Sequence, residues 1–334
     1  MGSKHYQVLK VSSVALFSGG LDSILAAKLI MEQGIDVRGV TFETPFFNAV
    51  KARAAADMIG LPLTVRNITE PHLTMLKAPR YGYGKNMNPC IDCHALMLKF
   101  AGELMEEIDA DFILTGEVLG QRPMSQGRQS LHVVAKNSGF QEYIVRPLSA
   151  KLLPETKPER EGILDRQKLL SLQGRGRKEQ MAMAGRFGIT RYDSPAGGCL
   201  LTDTEFSKRL KDLFYVQKNY QVRDIELLKV GRHFRIAEGV KVIVGRNRAD
   251  NEFIRQRCDK GDMLIQMMDF PGPVTLVPYG CNVAQMSQAA SLCVLYSDAP
   301  NDQDATAVYT MGDTTASFPV KAAAREDAAQ WIIR

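Results

Sequence analysis

The sequence predicts an α/β protein, a doubly wound parallel sheet followed by a second, smaller α+β domain. Three observations lead there. Strand-like and helix-like patterns alternate over the first half of the chain, the order that builds a parallel sheet covered by helices. A glycine-rich turn joins the first apolar run to the first helical pattern. After about residue 220 the pattern changes to short β-prone runs with interspersed helices. A chain of 334 residues is long enough for about two domains, each with its own core. We place them at 1–216 and 217–334.

The elements follow in order. Residues 14–17 form an apolar, β-prone run, and a helical pattern covers 22–33. A strand follows at 36–42, a helix at 48–59 ending on Gly60, and a third strand opens at 62–65. The pattern at 91–108 is a longer helix with Leu96, Phe100, Leu104 and Ile108 on one face. The run 111–115 is a short buried strand that stops at Gly116. In such sheets ligands sit at the carboxyl ends of the strands, so Ser18, Thr41, Phe42 and the Gly116 loop should converge on one crevice. Residues 154–178 are rich in Pro, Glu, Arg and Lys without a strong apolar stripe. They read as a solvated helical excursion, or as an RNA-facing surface through Arg160, Arg166, Arg175, Arg177 and Lys178. Beyond residue 214, β-prone runs lie at 234–236, 240–244, 263–267 and 274–277, with helices at 249–257 and 282–295.

Composition sets loose bounds. An apolar share of 45% and a charged share of 24% are ordinary for a globular chain. A net charge of +5 permits an RNA partner without requiring one. No run of about 18 apolar residues exists, and the first apolar run is a short strand rather than a signal-peptide core. A cytoplasmic protein with no membrane partner is the expectation, with a homodimer open. The six cysteines then read as thiols, metal ligands or redox groups rather than disulfides.

Three motifs carry chemistry. In Ser18-Gly19-Gly20-Leu21-Asp22-Ser23 the glycines let the backbone approach a ligand, and the hydroxyls and the helix start suit an anion, best a phosphate. No Lys-Ser/Thr follows, so this is not a Walker A loop. Asp22 at the helix start is useful through Mg2+ or a water. The pair Cys90-Ile91-Asp92-Cys93 opens a helix, and Cys199 follows two glycines in a loop that could reach into a site built elsewhere. Three thiols with an open fourth position suit a 4Fe-4S cluster. Zinc is an alternative, and so is a metal-free redox pair that carries a persulfide. Cys90 to His94 also spells C-x-x-C-H, but haem attachment needs export, for which there is no signal. Cys258, Cys281 and Cys293 read as buried structural thiols. The third motif is Thr115-Gly116-Glu117 continuing to Gln126, where Gly116, Gln121, Arg122, Ser125 and Gln126 can approach adenine, ribose or phosphate.

The Ser18–Ser23 loop resembles the pyrophosphate loop of ATP pyrophosphatases, which cleave ATP between its α- and β-phosphates and adenylate a substrate. Together with the Gly116 loop and Val145-Arg146-Pro147-Leu148, residues 12–205 look like the ATP domain of 4-thiouridine synthetases. That resemblance implies adenylation of a uridine oxygen followed by sulfur insertion, with ATP and Mg2+ as cofactors. It implies ATP contacts from Ser18, Gly19, Gly20, Leu21, Asp22, Ser23, Thr41, Phe42, Gly116, Gln121 and Ser125. Asp22, Cys90, Cys93 and Cys199 would be the catalytic set, the three thiols doubling as cluster ligands. The close Cys90–Cys93 pair is similar to that of cluster-bearing variants of the family. The sulfur donor would be sulfide or a persulfide from a cysteine desulfurase. The phosphate loop begins at residue 18, so the usual N-terminal RNA-binding extension is expected to be missing. Residues 225–331 supply a substitute. Val244-Gly245-Arg246-Asn247 with Asn251, and Asp269-Phe270-Pro271-Gly272-Pro273-Val274, are similar to motifs of the RNA-binding domain of NFACT-family proteins. Arg246, Asn247 and Asn251 would then contact tRNA, although Asn247 and Asn251 could equally cap a helix. The expected protein is an ATP-dependent tRNA thiouridine synthetase. The alternatives are an adenylating enzyme for a small molecule, or an RNA- or ribosome-binding protein that senses nucleotide.

Overall fold

The computed structural model describes residues 11–192, 199–300 and 303–333. The chain divides between Thr202 and Asp203 into two compact units.

The first unit is built on a five-stranded parallel sheet of β1 (Ser12–Leu16), β2 (Asp36–Glu43), β3 (Leu63–Asn67), β4 (Phe112–Thr115) and β5 (Ile144–Val145), in the order β3-β2-β1-β4-β5. Its helices are α1 (Leu21–Met31), α2 (Val50–Ile59), α3 (Thr69–Lys77), α4 (Cys90–Glu107), α5 (Arg128–Ser138), the single turn α6 (Lys157–Arg160) and α7 (Lys178–Arg186). The pleat sends alternate residues to opposite faces. Ala15, Val37, Phe112 and Leu114 share one cluster with the apolar residues of α1 and α2. Val14, Val40 and Ile113 share another with those of α4 and α5. Both faces are covered, so the strands read as nearly unbroken apolar runs.

The chain leaves β1 toward β2 and β3, then crosses back to β4 on the other side. The switch in direction falls between β1 and β4, where Leu16 pairs with Thr115. A doubly wound sheet opens its ligand crevice at that point, and the Ser18–Ser23 loop and the Gly116 loop flank it.

Residues 154–178 are not solvated throughout. Leu164, Leu169 and Leu172 are buried in the core beneath α1. Their irregular spacing along a charged segment hides the pattern.

The second unit holds α8 (Thr204–Val216), α9 (Val222–Leu227), β6 (Arg232–Ala237), β7 (Val240–Val244), α10 (Arg248–Arg255), β8 (Met263–Met267), β9 (Thr275–Val277), α11 (Val283–Leu295), β10 (Ala305–Met311), β11 (Thr314–Val320) and α12 (Arg325–Trp331). Its six strands form an antiparallel sheet in the order β11-β10-β8-β9-β7-β6. Ala289, Ala290, Leu292, Cys293 and Val294 of α11 pack into its core. Helix α8 groups with this unit, because Asp212 bonds Arg235 of β6 and Lys241 of β7. Of the three thiols expected to be buried here, only Cys293 is; Cys258 and Cys281 are partly exposed at the ends of helical and loop segments.

Two glycines hold the crevice together. A Cβ on Gly116 would lie 2.5 Å from the Ser23 backbone nitrogen, and one on Gly19 would lie 2.5 Å from the Lys51 carbonyl oxygen, at a φ of +75°. The Gly116 loop therefore rests directly on the first turn of α1. Gly116→Ala should cost about 1–3 kcal/mol, the usual penalty for forcing extra volume into a packed contact. A thermal melt of the variant identical to that of the wild type would contradict this close approach.

Candidate active site

The first turn of α1 is set by its sequence. Gly20 takes an extended conformation at the N-cap and provides no side-chain cap. The Ser23 hydroxyl donates to the Gly20 carbonyl at 2.8 Å, and the Gly20 N–H donates to Ser18 Oγ at 3.3 Å. The turn is thus stiffened from within while the helix keeps its positive end without a side-chain cap. Asp22 sits at the second helical position. Gln121 Nε2 donates to Asp22 Oδ2 at 3.0 Å. The other oxygen, Oδ1, is buried and has no hydrogen-bond partner among the described residues. An enclosed carboxylate oxygen of this kind fits a hard cation such as Mg2+.

The structure brings Ser18, Gly19, Gly20, Asp22, Ser23, Gly116 and Gln121 together at the switch point. Thr41 lies near the carboxyl end of β2 and is buried. Phe42 is buried too, but its ring packs against Phe100 in the apolar core, so only its backbone can face a ligand. Leu21 is buried in the opposite core, and Ser125 is buried within the loop after β4.

The Cys199 segment comes back to the helix that carries the other two cysteines. Cys90 and Cys93 occupy the first turn of α4. Asn86 Nδ2 donates to the Thr202 carbonyl at 2.6 Å, and Thr202 Oγ1 donates to the Cys199 carbonyl at 2.7 Å, so the Cys199 segment is tied to the loop that leads into α4. Residues 194–198, the remainder of the predicted cysteine loop, lie outside the described residues. The thiols sense one another. Enclosure pushes the Cys93 thiol well above the usual range, and the negative charges of Cys199, Cys90 and Asp92 push it further. Burial likewise raises Cys199, with Cys90 adding to the rise and Arg122 opposing it. Around them Asn88 Nδ2 reaches Cys90 Sγ at 3.4 Å. His72 Nε2 lies 3.5 Å from Cys93 Sγ. His72 is fully buried between Phe46 and Phe47 and kept neutral, its pKa lowered to about 4 by desolvation.

Burial keeps Cys93 and Cys199 as thiols, and a soft metal centre would have to displace their protons to bind them. Among the described residues, no three His, Cys, Asp or Glu side chains gather around one point as a single ion would need.

Sequence reading missed a buried ionic network. Arg146 Nε donates to Glu117 Oε2 at 2.9 Å, and His94 Nδ1 lies 3.1 Å from Glu117 Oε1. Burial alone would raise the Glu117 carboxyl, but Arg146 and His94 outweigh it and hold the pKa down to about 2. Glu117 follows Gly116, and His94 follows Cys93, so the network locks the start of α4 to the Gly116 loop. Glu117 was legible as part of a Thr-Gly-Glu motif, yet its partners are distant in sequence.

In the second unit, Asn247 Oδ1 accepts from the Asp250 N–H at 2.9 Å and caps α10, while Asn251 Oδ1 accepts from the Val274 N–H at 3.0 Å. Both side-chain oxygens are engaged within the fold. Arg246 pairs with Asp250 at 2.7 Å, and its side chain is 45% exposed, which leaves it able to meet a phosphate.

The depressed Glu117 pKa has a pH signature. A carboxyl near 2 in the folded protein and near 4.5 in the unfolded chain contributes stability that is full above pH 4.5 and fades as the pH falls toward 2. Glu117→Gln strands a buried arginine and should cost about 3 kcal/mol near neutral pH. In urea melts across pH, the gap between wild type and variant should narrow below pH 4.5. A gap that widens on acidification would refute the assignment.

Comparison with known proteins agrees with this division. The family described as Thiamine biosynthesis protein (ThiI) matches residues 9–151, and the NFACT protein RNA binding domain matches residues 231–332. The chain is 27% identical over 222 residues to the tRNA-specific 2-thiouridylase MnmA of Symbiobacterium thermophilum, covering 58% of this chain and 54% of that protein. It is 40% identical over 119 residues to the enzyme of that name from Clostridium acetobutylicum, covering 30% of this chain and 33% of that one. The chain thus spans about half or less of the length of these curated relatives. A solved 4-thiouridine synthetase–RNA complex with bound ATP aligns at 21% identity with a TM-score of 0.38, covering 66% of this chain and 52% of that one. The chain joins a pyrophosphate-loop domain of the ThiI family to an RNA-binding domain of the NFACT family.

Proposed function

We propose that this protein is an ATP-dependent tRNA thiouridine synthetase, with the first unit performing adenylation and sulfur transfer and the second unit holding the tRNA. One observation carries the reading: a single loop, residues 116–126, touches both halves of the chemistry. Through Gln121 it holds Asp22 at the phosphate loop. Through Glu117 it holds His94 beside the cysteine pair. Through the charge of Arg122 it acts on Cys199. A protein that only sensed nucleotide would have no use for three thiols within reach of the same loop.

In this reading the first turn of α1 and its serines bind the phosphates, and Asp22 holds Mg2+ through its free oxygen. The uridine oxygen attacks the α-phosphorus and pyrophosphate leaves. Sulfur then replaces the activated oxygen, and AMP is released. The sulfur comes from sulfide, or from a persulfide of a cysteine desulfurase, in which case a thiol pair supplies the two electrons that release the outer sulfur and ends as a disulfide. Cys90, Cys93 and Cys199 would hold a 4Fe-4S cluster, which when bound would offer an open iron to the incoming sulfur. His72 and Asn88 orient the sulfurs, and Glu117 with Arg146 fixes the helix that carries them. Phosphate contacts dominate tRNA affinity, and the exposed Arg246 is suited to make one.

The full chain incubated with tRNA, ATP, Mg2+ and sulfide should release AMP and yield thiouridine, detected by mass spectrometry of the digested nucleosides. Asp22→Ala should retain its melting temperature yet produce neither, and undiminished AMP release by the folded variant would sink the role of Asp22. After anaerobic purification the protein should show the broad brown absorbance of an iron–sulfur cluster, lost in Cys90→Ala, Cys93→Ala and Cys199→Ala. Colourless protein with stoichiometric zinc would replace the cluster by zinc. Colourless, metal-free protein that accepts a persulfide would replace it by covalent sulfur.

A further inference from the structure

The chain between α3 and α4 contains Pro79-Arg80-Tyr81-Gly82-Tyr83-Gly84-Lys85-Asn86. It leads into the cysteine pair and is held there from three sides. The Asp92 carboxylate, between Cys90 and Cys93 in sequence, accepts the backbone N–H groups of Arg80 and Tyr81, one on each oxygen, both at 3.0 Å. Asn137 of α5 accepts from Arg80 Nη1 at 3.1 Å and donates to the Tyr81 hydroxyl at 2.9 Å. The Gly84 N–H donates to the Asn88 carbonyl at 3.0 Å, and a Cβ on Gly84 would lie 2.6 Å from Met124 Sδ. The loop is thereby fixed against the first turn of α4, against α5 and against the loop after β4.

What the loop presents is aromatic and basic. Tyr81 is 41% exposed, and Tyr83 and Met124 are exposed as well. The Arg80 guanidinium lies over the Tyr81 ring, 5.6 Å from its centroid. Arg80, Lys85 and Arg122 are all exposed. Residues 78–89 and 118–128 contain no acidic side chain. Asp92, which does touch the loop, is taken up by the two backbone N–H groups. An exposed tyrosine is ordinarily free to turn, and ordering it on binding costs entropy. Tyr81 is clamped at its backbone and at its hydroxyl, so its ring is already presented in one orientation.

We propose that residues 80–85 form an RNA-contacting loop of the first unit, in which Tyr81 stacks on an unpaired base next to the uridine that reacts. Arg80 covers one face of the ring, and the base takes the other. Arg80 and Lys85 meet the flanking phosphates. This rests on the tRNA reading given above. A uridine oxygen can reach the crevice only when its nucleotide leaves the RNA stack, and the neighbouring base then loses a stacking partner. A rigid aromatic face beside the thiols replaces that partner, as aromatic side chains do for splayed bases in RNA-binding proteins. The surplus of cations over acids in these two segments matches a polyanion rather than a protein surface of mixed charge.

Fluorescence anisotropy of a labelled, unmodified tRNA titrated with the full chain tests this, with the melting temperature as the control for folding. Tyr81→Ala should weaken tRNA binding about fivefold or more, the loss of one stacked base. The slope of log affinity against log salt should stay as in the wild type, because a stacked base releases no counterions. Tyr81→Phe keeps the ring, drops the bond to Asn137 and should bind as the wild type does. Lys85→Ala should lower the salt slope by about one unit. Wild-type tRNA affinity in Tyr81→Ala would overturn the proposal, and a loss of sulfur delivery by the cysteine desulfurase with that affinity intact would assign the loop to a protein partner. Equal losses in Tyr81→Ala and Tyr81→Phe would overturn the stacking role and leave Tyr81 as an anchor of the loop. Wild-type protein that binds no tRNA at low salt would instead fail the tRNA reading itself.

Discussion

Burying the Glu117 carboxylate at the carboxyl end of β4 obliges the protein to bring cations to it, and that obligation organises the site. An isolated buried carboxylate is costly. Arg146, which follows β5, and His94, one turn into α4, answer it from opposite sides. The three groups come from separate segments of the first unit, so their pairing fixes α4 against β4 and β5 as a single frame. The cysteine pair at the start of α4 inherits its position from that frame. So does Gly116, whose lack of a side chain lets the loop lie on the first turn of α1.

The same loop then distributes tasks. Gln121 holds one oxygen of Asp22 and leaves the other without a protein partner. Gly120 and Leu119 receive the segment that enters α7. Met124 lies beside Asn88, the residue that also touches Cys90. Unpartnered polar atoms of Asp22, Gln126, Arg177 and Gln180 all belong to this loop or to the helix starts it touches. Such atoms are uncommon in folded proteins, and others, such as His233 Nδ1 and Thr275 Oγ1, lie in the second unit.

Local features were legible in the sequence and distant pairings were not. The strand, turn and helix around Ser18–Ser23 are contiguous, so their order alone places the phosphate loop. The doubly wound sheet follows from alternation of short apolar runs with helical patterns. Gln121 was named as a nucleotide contact, but its bond to Asp22 spans 99 positions and no periodicity reports it. Arg146 and His94 stand in sequence patterns of their own, Val145-Arg146-Pro147-Leu148 and C-x-x-C-H, but neither pattern reports the bond to Glu117. Leu164, Leu169 and Leu172 look like scattered residues in a charged stretch until α1 covers them. In the second unit, the helix-capping alternative for Asn247 describes its observed bond, since capping is decided within four residues.

The central claim is that the nucleotide loop and the thiols form one mechanical unit. It is tested most directly by the alkylation rates of Cys90 and Cys199 in metal-free full-length protein, followed by peptide mass spectrometry with and without a saturating non-hydrolysable ATP analogue. If residues 116–126 couple the two halves, the analogue should change both rates several-fold, while the rate at Cys258 in the second unit stays constant. Identical rates at Cys90 and Cys199 under saturation would contradict the account.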